Sequence, residues 1–241
     1  MEAVVGMGKP SKANALDVLA KFGWFATRTA DVRATIGPML MLRGYVAGEA
    51  IYHVGDEPNG LFGLVSGAFD ISIPRGDGRS ITMHRSEAGF WVGDLALLAH
   101  NKRLVSVYAA EDSIVVHLPV PAMRALVDKD PRYYEEFYAL TYDNMATALQ
   151  LLAALTAPTS RVRVALRLIQ QIENQGDPGA WITLSQGALS EMVGLSRTTL
   201  HRVLSGFAAA RLVEIGYGRL RIRDIEGLRR LCDDDTVRLV N

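Results

Sequence analysis

The pattern of apolar and polar positions along this chain changes texture twice. Through residues 40–118, short apolar bursts are broken by glycine, with Gly44, Gly48, Gly55, Gly60, Gly63 and Gly67 falling between strand-like pieces. Ile71 and Ile73 alternate with Asp70 and Ser72, and Ile114-Val115-Val116 is β-branched; both are strand signals. Arg75-Gly76-Asp77-Gly78 separates two such segments with the residue types of a hairpin turn. Many short strands at turn spacing predict an antiparallel roll or sandwich. Ahead of it, Leu16, Leu19, Phe22 and Trp24-Phe25 recur at helix-like intervals, predicting one or two short helices over residues 15–39 packed on the roll.

At Asp130-Pro131 the pattern becomes helical. No glycine and no further proline occurs until Pro158, Ala and Leu are frequent, and Pro131 suits a first helical position whose N–H would be unpaired anyway. Tyr138, Tyr142, Met145, Leu149 and Leu152 repeat at steps of four and three, the spacing of a knobs-into-holes seam. A helix lying on its own roll also produces such a stripe. At ~1.5 Å per residue, however, this helix is too long for a small β domain to cover, and a second copy of the chain is the expected cover for the rest. Beyond Pro158, RVRVALRLIQQIENQ is amphipathic, with Val164, Leu168 and Ile172 on one face and Arg161, Arg163 and Arg167 elsewhere; Gly176-Asp177-Pro178-Gly179 breaks it.

The stretch LSEMVGLSRTTLHRVL, residues 189–204, holds two apolar-periodic pieces split at Gly194. Ser185 is placed to cap a first helix carrying Leu189, Met192 and Val193, and Gly194 falls where a left-handed residue turns the chain. Ser196 then caps a second helix that buries Leu200, Val203, Leu204 and Phe207 and shows Arg197, Thr198, His201 and Arg202 on its other side. This is the helix-turn-helix plan, in which the second helix offers its first turns to the major groove and an arginine pairs bidentately with a guanine edge. GYGRLRIRD, after it, reads as a glycine turn between short β pieces, a wing.

Net charge changes the picture only locally. The 241 residues sum to zero, so any nucleic-acid surface must be local, and residues 182–230 hold eight arginines against four acids. The single Cys232 excludes an internal disulfide framework and any metal site built on a cysteine cluster. The N-terminal stretch lacks the basic start and apolar core of a signal peptide, and no run reaches the ~18 apolar residues of a membrane span, so a soluble cytoplasmic chain is expected. No phosphate loop, paired acids or Ser/His/Asp arrangement points to catalysis, and no metal site is expected.

With roll, long helix, helix-turn-helix and wing in that order, residues 16–231 resemble the CRP/FNR family, the cyclic-AMP receptor protein and its relatives. GEAIYHVGDEPNGLFGLVSG (48–67) looks like the family's roll signature, GFWVGDLALL (89–98) like the start of its phosphate cassette, and VGLSRTTLHRVL (193–204) like its recognition helix. The resemblance implies an α+β fold: an N-terminal antiparallel β-roll of the cyclic-nucleotide-binding jelly-roll type over residues 1–130, a central dimerisation helix over 131–157, and a C-terminal winged helix-turn-helix DNA-binding domain over 158–241. It implies a homodimeric transcription regulator on a pseudo-palindromic duplex site, meeting RNA polymerase if it activates, with an effector signal passing from roll to heads. Arg197 and Arg202 match the base-reading arginines, and Ser196 and Thr199 the phosphate-contacting positions. Thr198 stands where many members have a cytosine-reading glutamate, which puts their half-site consensus in doubt. Arg219 is a backbone contact on charge alone.

The effector cassette departs from the family. Gly93 is followed by Asp94, one methylene shorter than the ribose-binding glutamate, and then by Leu95; Arg103 is followed by Leu104 rather than serine. The positions that offer hydroxyls to the adenine ring read Ala148 and Leu149. These three departures argue against cyclic AMP and leave another ligand open. Arg103 reads equally as an anion holder or as a surface salt-bridge partner of Asp94. Haem sensing would need an axial ligand from His53, His84, His100 or His117, residues that are more often structural in a roll. A cupin-like metalloenzyme would need clustered ligands, yet no two histidines lie closer than 16 residues. A nucleotide-binding module acting on a protein partner is the remaining alternative, and salt-dependent duplex binding discriminates it.

Overall fold

The computed structural model describes residues 11–175 and 179–237, and the chain packs as two compact units that divide between Ala146 and Thr147. The break expected at Gly176-Asp177-Pro178 and the N-terminal stretch through Pro10 lie outside the described residues.

In the first unit, three short helices precede the roll rather than one or two: α1 (Lys12–Leu19), α2 (Gly23–Ala26) and α3 (Ala30–Ile36), followed by a 3-10 turn at Gly37–Met39. Side-chain caps divide what periodicity alone would join. The Ser11 hydroxyl accepts from Asn14 N, and the Thr29 hydroxyl accepts from Val32 N. The roll follows as β1 (Met41–Tyr45), β2 (Ala50–Tyr52), β3 (Gly60–Ser66), β4 (Phe69–Pro74), β5 (Ser80–Ser86), β6 (Trp91–Val92), β7 (Ser106–Ala109) and β8 (Ser113–Pro119), with helix α4 (Asp94–Leu98) after β6 and α5 (Val120–Lys129) after β8. They form two antiparallel four-stranded sheets, in the orders β1-β8-β3-β6 and β2-β7-β4-β5.

Strand β3 is buried on both faces, which explains its unbroken apolar run. Phe62 and Leu64 meet Phe69, Val107 and Val115 between the sheets, whereas Leu61 and Val65 join the core beneath α1 and α2. The alternation expected in β4 fails at one point. Ser72 is 6% exposed while Ile71 and Ile73 are half-buried, and Phe69 supplies the deeply buried side chain; the pairing with β5 shifts register here, Met83 being the extra residue between the partners Thr82 and His84.

Helix α6 (Tyr133–Leu155) starts on this unit. Phe137 and Leu140 are buried in the roll core, with the Trp24 and Phe137 rings stacked at 6.0 Å and Trp24 edge-on to Trp91 at 5.1 Å. Trp24 Nε1 donates to the Glu136 carbonyl at 2.7 Å, and Arg28 pairs with the Glu136 carboxylate at 2.6 Å. These contacts settle which side of the helix faces its own roll. The predicted seam is a different stripe: Tyr138, Tyr142, Met145, Leu149 and Leu152 are 47–68% exposed.

The second unit holds the remainder of α6, then α7 (Ser160–Gln175), α8 (Gln186–Met192), α9 (Arg197–Ala209), β9 (Val213–Gly216), β10 (Arg219–Ile222) and α10 (Ile225–Val237). Val164, Leu168 and Ile172 of α7 form a core with residues of α8, α9 and the β9–β10 hairpin, as the periodicity predicts. Arg167 is a correction to the amphipathic reading: it is 3% exposed and turns inwards.

Candidate functional site

Local interactions build the helix pair of the second unit. The Ser185 hydroxyl accepts from Ala188 N and opens α8; the Ser196 hydroxyl accepts from Thr199 N at 3.1 Å and opens α9. Between them Gly194 adopts φ +62°, the left-handed turn that only glycine makes without strain. Helix α9 buries Leu200, Val203, Leu204 and Phe207, so its other face is turned out. Arg197, Thr198, His201 and Arg202 are all exposed on it, with Thr199 half-buried beside the cap. Neither Arg197 nor Arg202 has an acidic partner among the described residues. The Arg197 guanidinium lies near Gly187, beside the start of α8.

Past α9, Arg211 takes a left-handed φ of 58° that the sequence does not announce, and the chain enters the hairpin. β9 and β10 pair antiparallel, and Ile182 bridges to β10 through reciprocal backbone bonds to Leu220. Arg219 and Arg221 pack their guanidiniums over Trp181, at 4.4 and 4.8 Å from the ring centroid, a platform that sequence reasoning missed. Arg221 and Arg223 are also held by Glu214, whereas Arg219 stays exposed at the turn beside a fully exposed Tyr217.

In the roll, Arg103 is 2% exposed. Its Nη1 donates to Gly93 O at 2.7 Å, and its Nη2 donates to Gly60 O at 2.8 Å and Asn59 Oδ1 at 3.1 Å. The guanidinium carbon stands 4.2 Å from the centroid of the Tyr52 ring. The surface salt bridge to Asp94 is therefore overturned: Arg103 is an interior group whose donors go mainly to backbone carbonyls. Gly93, at φ +103°, allows this approach, since a Cβ there would stand 2.6 Å from Arg103 Nη1.

Asp94 is also interior, at 4% exposed, and accepts from Asn144 Nδ2 of α6 at 2.7 Å. Burial pushes its carboxyl above the usual carboxylate range, against the opposing pull of hydrogen bonds from Thr141 and Asn144. Asn144 and Thr141 carried no sequence signal. Leu95 and Leu104 are exposed, and Ala148 and Leu149 are exposed residues of the second unit.

Three of the histidines named as haem candidates lie against aromatic rings, and the fourth, His100, is exposed. His117 stacks on Phe62 at 4.5 Å, with Nε2 3.1 Å from the Asn59 carbonyl, and burial holds its pKa below the ordinary value. His84 lies against Phe90 and His53 against Tyr108. Among the described residues no group of three or more His, Cys, Asp or Glu side chains is placed to hold a metal ion, and no helix is long and apolar enough to cross a membrane.

Comparison with known proteins separates along the same lines. Residues 42–130 match the cyclic nucleotide-binding domain family, and residues 162–231 match the Crp-like helix-turn-helix domain. The cyclic AMP receptor protein of Thermus thermophilus is 28% identical over 190 residues, 79% of this chain and 87% of that protein. The chain belongs to the CRP/FNR family of transcription regulators. Another relative, the HTH-type transcriptional regulator Cmr of Mycobacterium tuberculosis, is 22% identical over 238 residues, 95% of this chain and 93% of that protein. The structure of FixK2 from Bradyrhizobium japonicum superposes with a TM-score of 0.71 at 20% identity, over 80% of this chain and 96% of that one. The c-di-GMP responsive global regulator CLP of Xanthomonas campestris gives 0.63 at 17% identity, over 80% and 99%. The CRP/FNR fold, with its antiparallel roll and DNA-binding head, is thus the fold expected from the sequence, and the function is that of a DNA-binding transcription regulator.

Proposed function

We propose that this regulator acts as a homodimer on a pseudo-palindromic duplex, with α9 of each copy in the major groove. Arg197 and Arg202 read base edges, Ser196 and Thr199 hold phosphate at the helix N-terminus, and Thr198 and His201 complete the reading face. Arg219 reaches the backbone from the wing. The observation that carries the reading is the placement of Arg197 and Arg202: both are exposed on the first turns of a helix whose opposite face is core, with no acid neutralising them among the described residues. The exposed heptad stripe on α6 supports the dimer, because a two-fold copy presents the same knobs and holes to itself.

The effector is a separate matter. Relatives named for cyclic AMP and for c-di-GMP share this architecture, so family membership does not choose the ligand. A cyclic phosphate held through Arg103 fits these residues poorly: the guanidinium is already bonded to Gly93, Gly60 and Asn59, and Leu104 brings no hydroxyl. The ribose-binding position is likewise taken, since Asp94 is bonded to Asn144. The proposed regulator therefore does not depend on cyclic AMP, and any ligand of the roll is held by other groups.

Base reading is tested by selecting duplexes from a randomised pool with the wild-type protein and titrating the selected site. Arg197→Ala and Arg202→Ala are each expected to cost ~1–3 kcal/mol there and to relax preference at one position per half-site. Wild-type affinity and preference in both variants would remove the recognition assignment.

A further inference from the structure

Helix α7 carries three arginines, of which Arg161 alone is exposed. Arg167 donates through Nη1 to Gln170 Oε1 at 3.3 Å and through Nη2 to the sulfur of Met192, the last residue of α8, at 3.3 Å. Gln170 is itself buried and donates through Nε2 to Gln150 Oε1 on α6 at 3.2 Å. One turn earlier, Arg163 Nη1 donates to Val193 O at 3.3 Å and Nη2 to Ala157 O at 3.5 Å, the latter in the link between α6 and α7. Val193 directly precedes Gly194, the left-handed residue of the α8–α9 turn. Three side chains of α7, Arg163, Arg167 and Gln170, thus run from α6 and its link to the end of α8 and the turn that aims α9.

Apolar contact alone does not explain this arrangement. Burial holds the Arg167 pKa down at about 10, so the group still carries its charge at neutral pH. Taking a guanidinium out of water is costly, and an apolar side chain of similar volume fills such a site with less penalty. What the arginine adds is direction: packed apolar surfaces slide over one another, whereas donors in a planar fork fix their acceptors. We infer that Arg163 and Arg167 are positioning residues for DNA recognition, fixing the α8–α9 turn to α6 and its link so that the setting of α6 is delivered to the reading helix. This rests on α9 being the reading element.

The test uses the full chain and two duplexes, one carrying the half-sites selected by the wild-type protein and one scrambled. Arg167→Met is expected to fold and to melt near the wild-type temperature, the guanidinium's desolvation cost offsetting the donor lost at Gln170 Oε1. It should lose about tenfold or more in affinity for the selected duplex, while binding to the scrambled one and the slope of log affinity against log salt stay unchanged. A group that touched phosphate would lower that slope by about one. Gln150→Leu breaks the relay at its exposed end, so it reads the same effect should Arg167→Met fold poorly; it lowers the selected-to-scrambled ratio, and adds little in the double variant if that folds. A wild-type ratio in Gln150→Leu or in folded Arg167→Met, or a loss shared equally by both duplexes, overturns the inference. A wild-type protein that selects no duplex would instead sink the reading of α9.

Discussion

At the scale of single residues, the polar groups inside the roll separate two meanings of the same amino acid. An arginine placed to catch a ligand keeps its donors free, and removing it changes stability little. Arg103 has three acceptors and an aromatic face within its own fold. Arg103→Met leaves Gly93 O, Gly60 O and Asn59 Oδ1 without this donor in the interior, and is expected to destabilise the protein by about 3 kcal/mol. Urea unfolding followed by tryptophan fluorescence measures this, because Trp24 and Trp91 lie in the same unit; an unchanged midpoint would show that Arg103 is not a structural group. The sequence indicates which arginine to examine, through its position after Gly93, but not what the arginine does. Two of its three acceptors lie 43 and 44 residues upstream, and the Asn144 that holds Asp94 lies 50 residues downstream. Pairings of that range are products of the closed roll and leave no local trace.

At the scale of elements, legibility follows the reach of the forces involved. The caps at Ser185 and Ser196 and the turn at Gly194 were readable because each is settled within three residues of chain. The bulge at Met83 in β5 is not, since it depends on how β4 pairs alongside. Helix α6 lies between these cases. The spacing marks the stripe from Tyr138 to Leu152, which is exposed, but the sequence alone does not say that Phe137 and Leu140 are the side given to the roll. That division makes a prediction about the helix. Met145 is 47% exposed in the single chain, so Met145→Asp should leave the melting temperature of the monomer close to wild type. In a dimer the new charge is buried between helices, and the dissociation constant should rise about a hundredfold, ~3 kcal/mol. Sedimentation at micromolar protein distinguishes the outcomes, and a variant that stays dimeric there places the contact on another face.

At the scale of the whole molecule, charge and symmetry combine. The chain as a whole is neutral, yet residues 182–230 carry an excess of arginine, so attraction to phosphate belongs to the head and not to the protein at large. A single head meets one half-site, and binding there alone is expected to be weak. A dimer joins two heads, and the second binding step becomes intramolecular, gaining through effective concentration rather than through any new contact. That gain requires the half-sites to face the same side of the duplex, about one helical turn, or 10 base pairs, between centres. Inserting about five base pairs between the selected half-sites turns the second one to the far side, where the second head can reach it only by twisting the duplex or straining the protein. Affinity should then fall about a hundredfold, to that of a duplex with a single half-site, measured at one fixed salt concentration because the phosphate contribution varies steeply with salt. Equal binding of the native and expanded spacings would mean that each head acts alone. The exposed seam of α6 would then have to be covered by something other than a second copy bound to the same DNA.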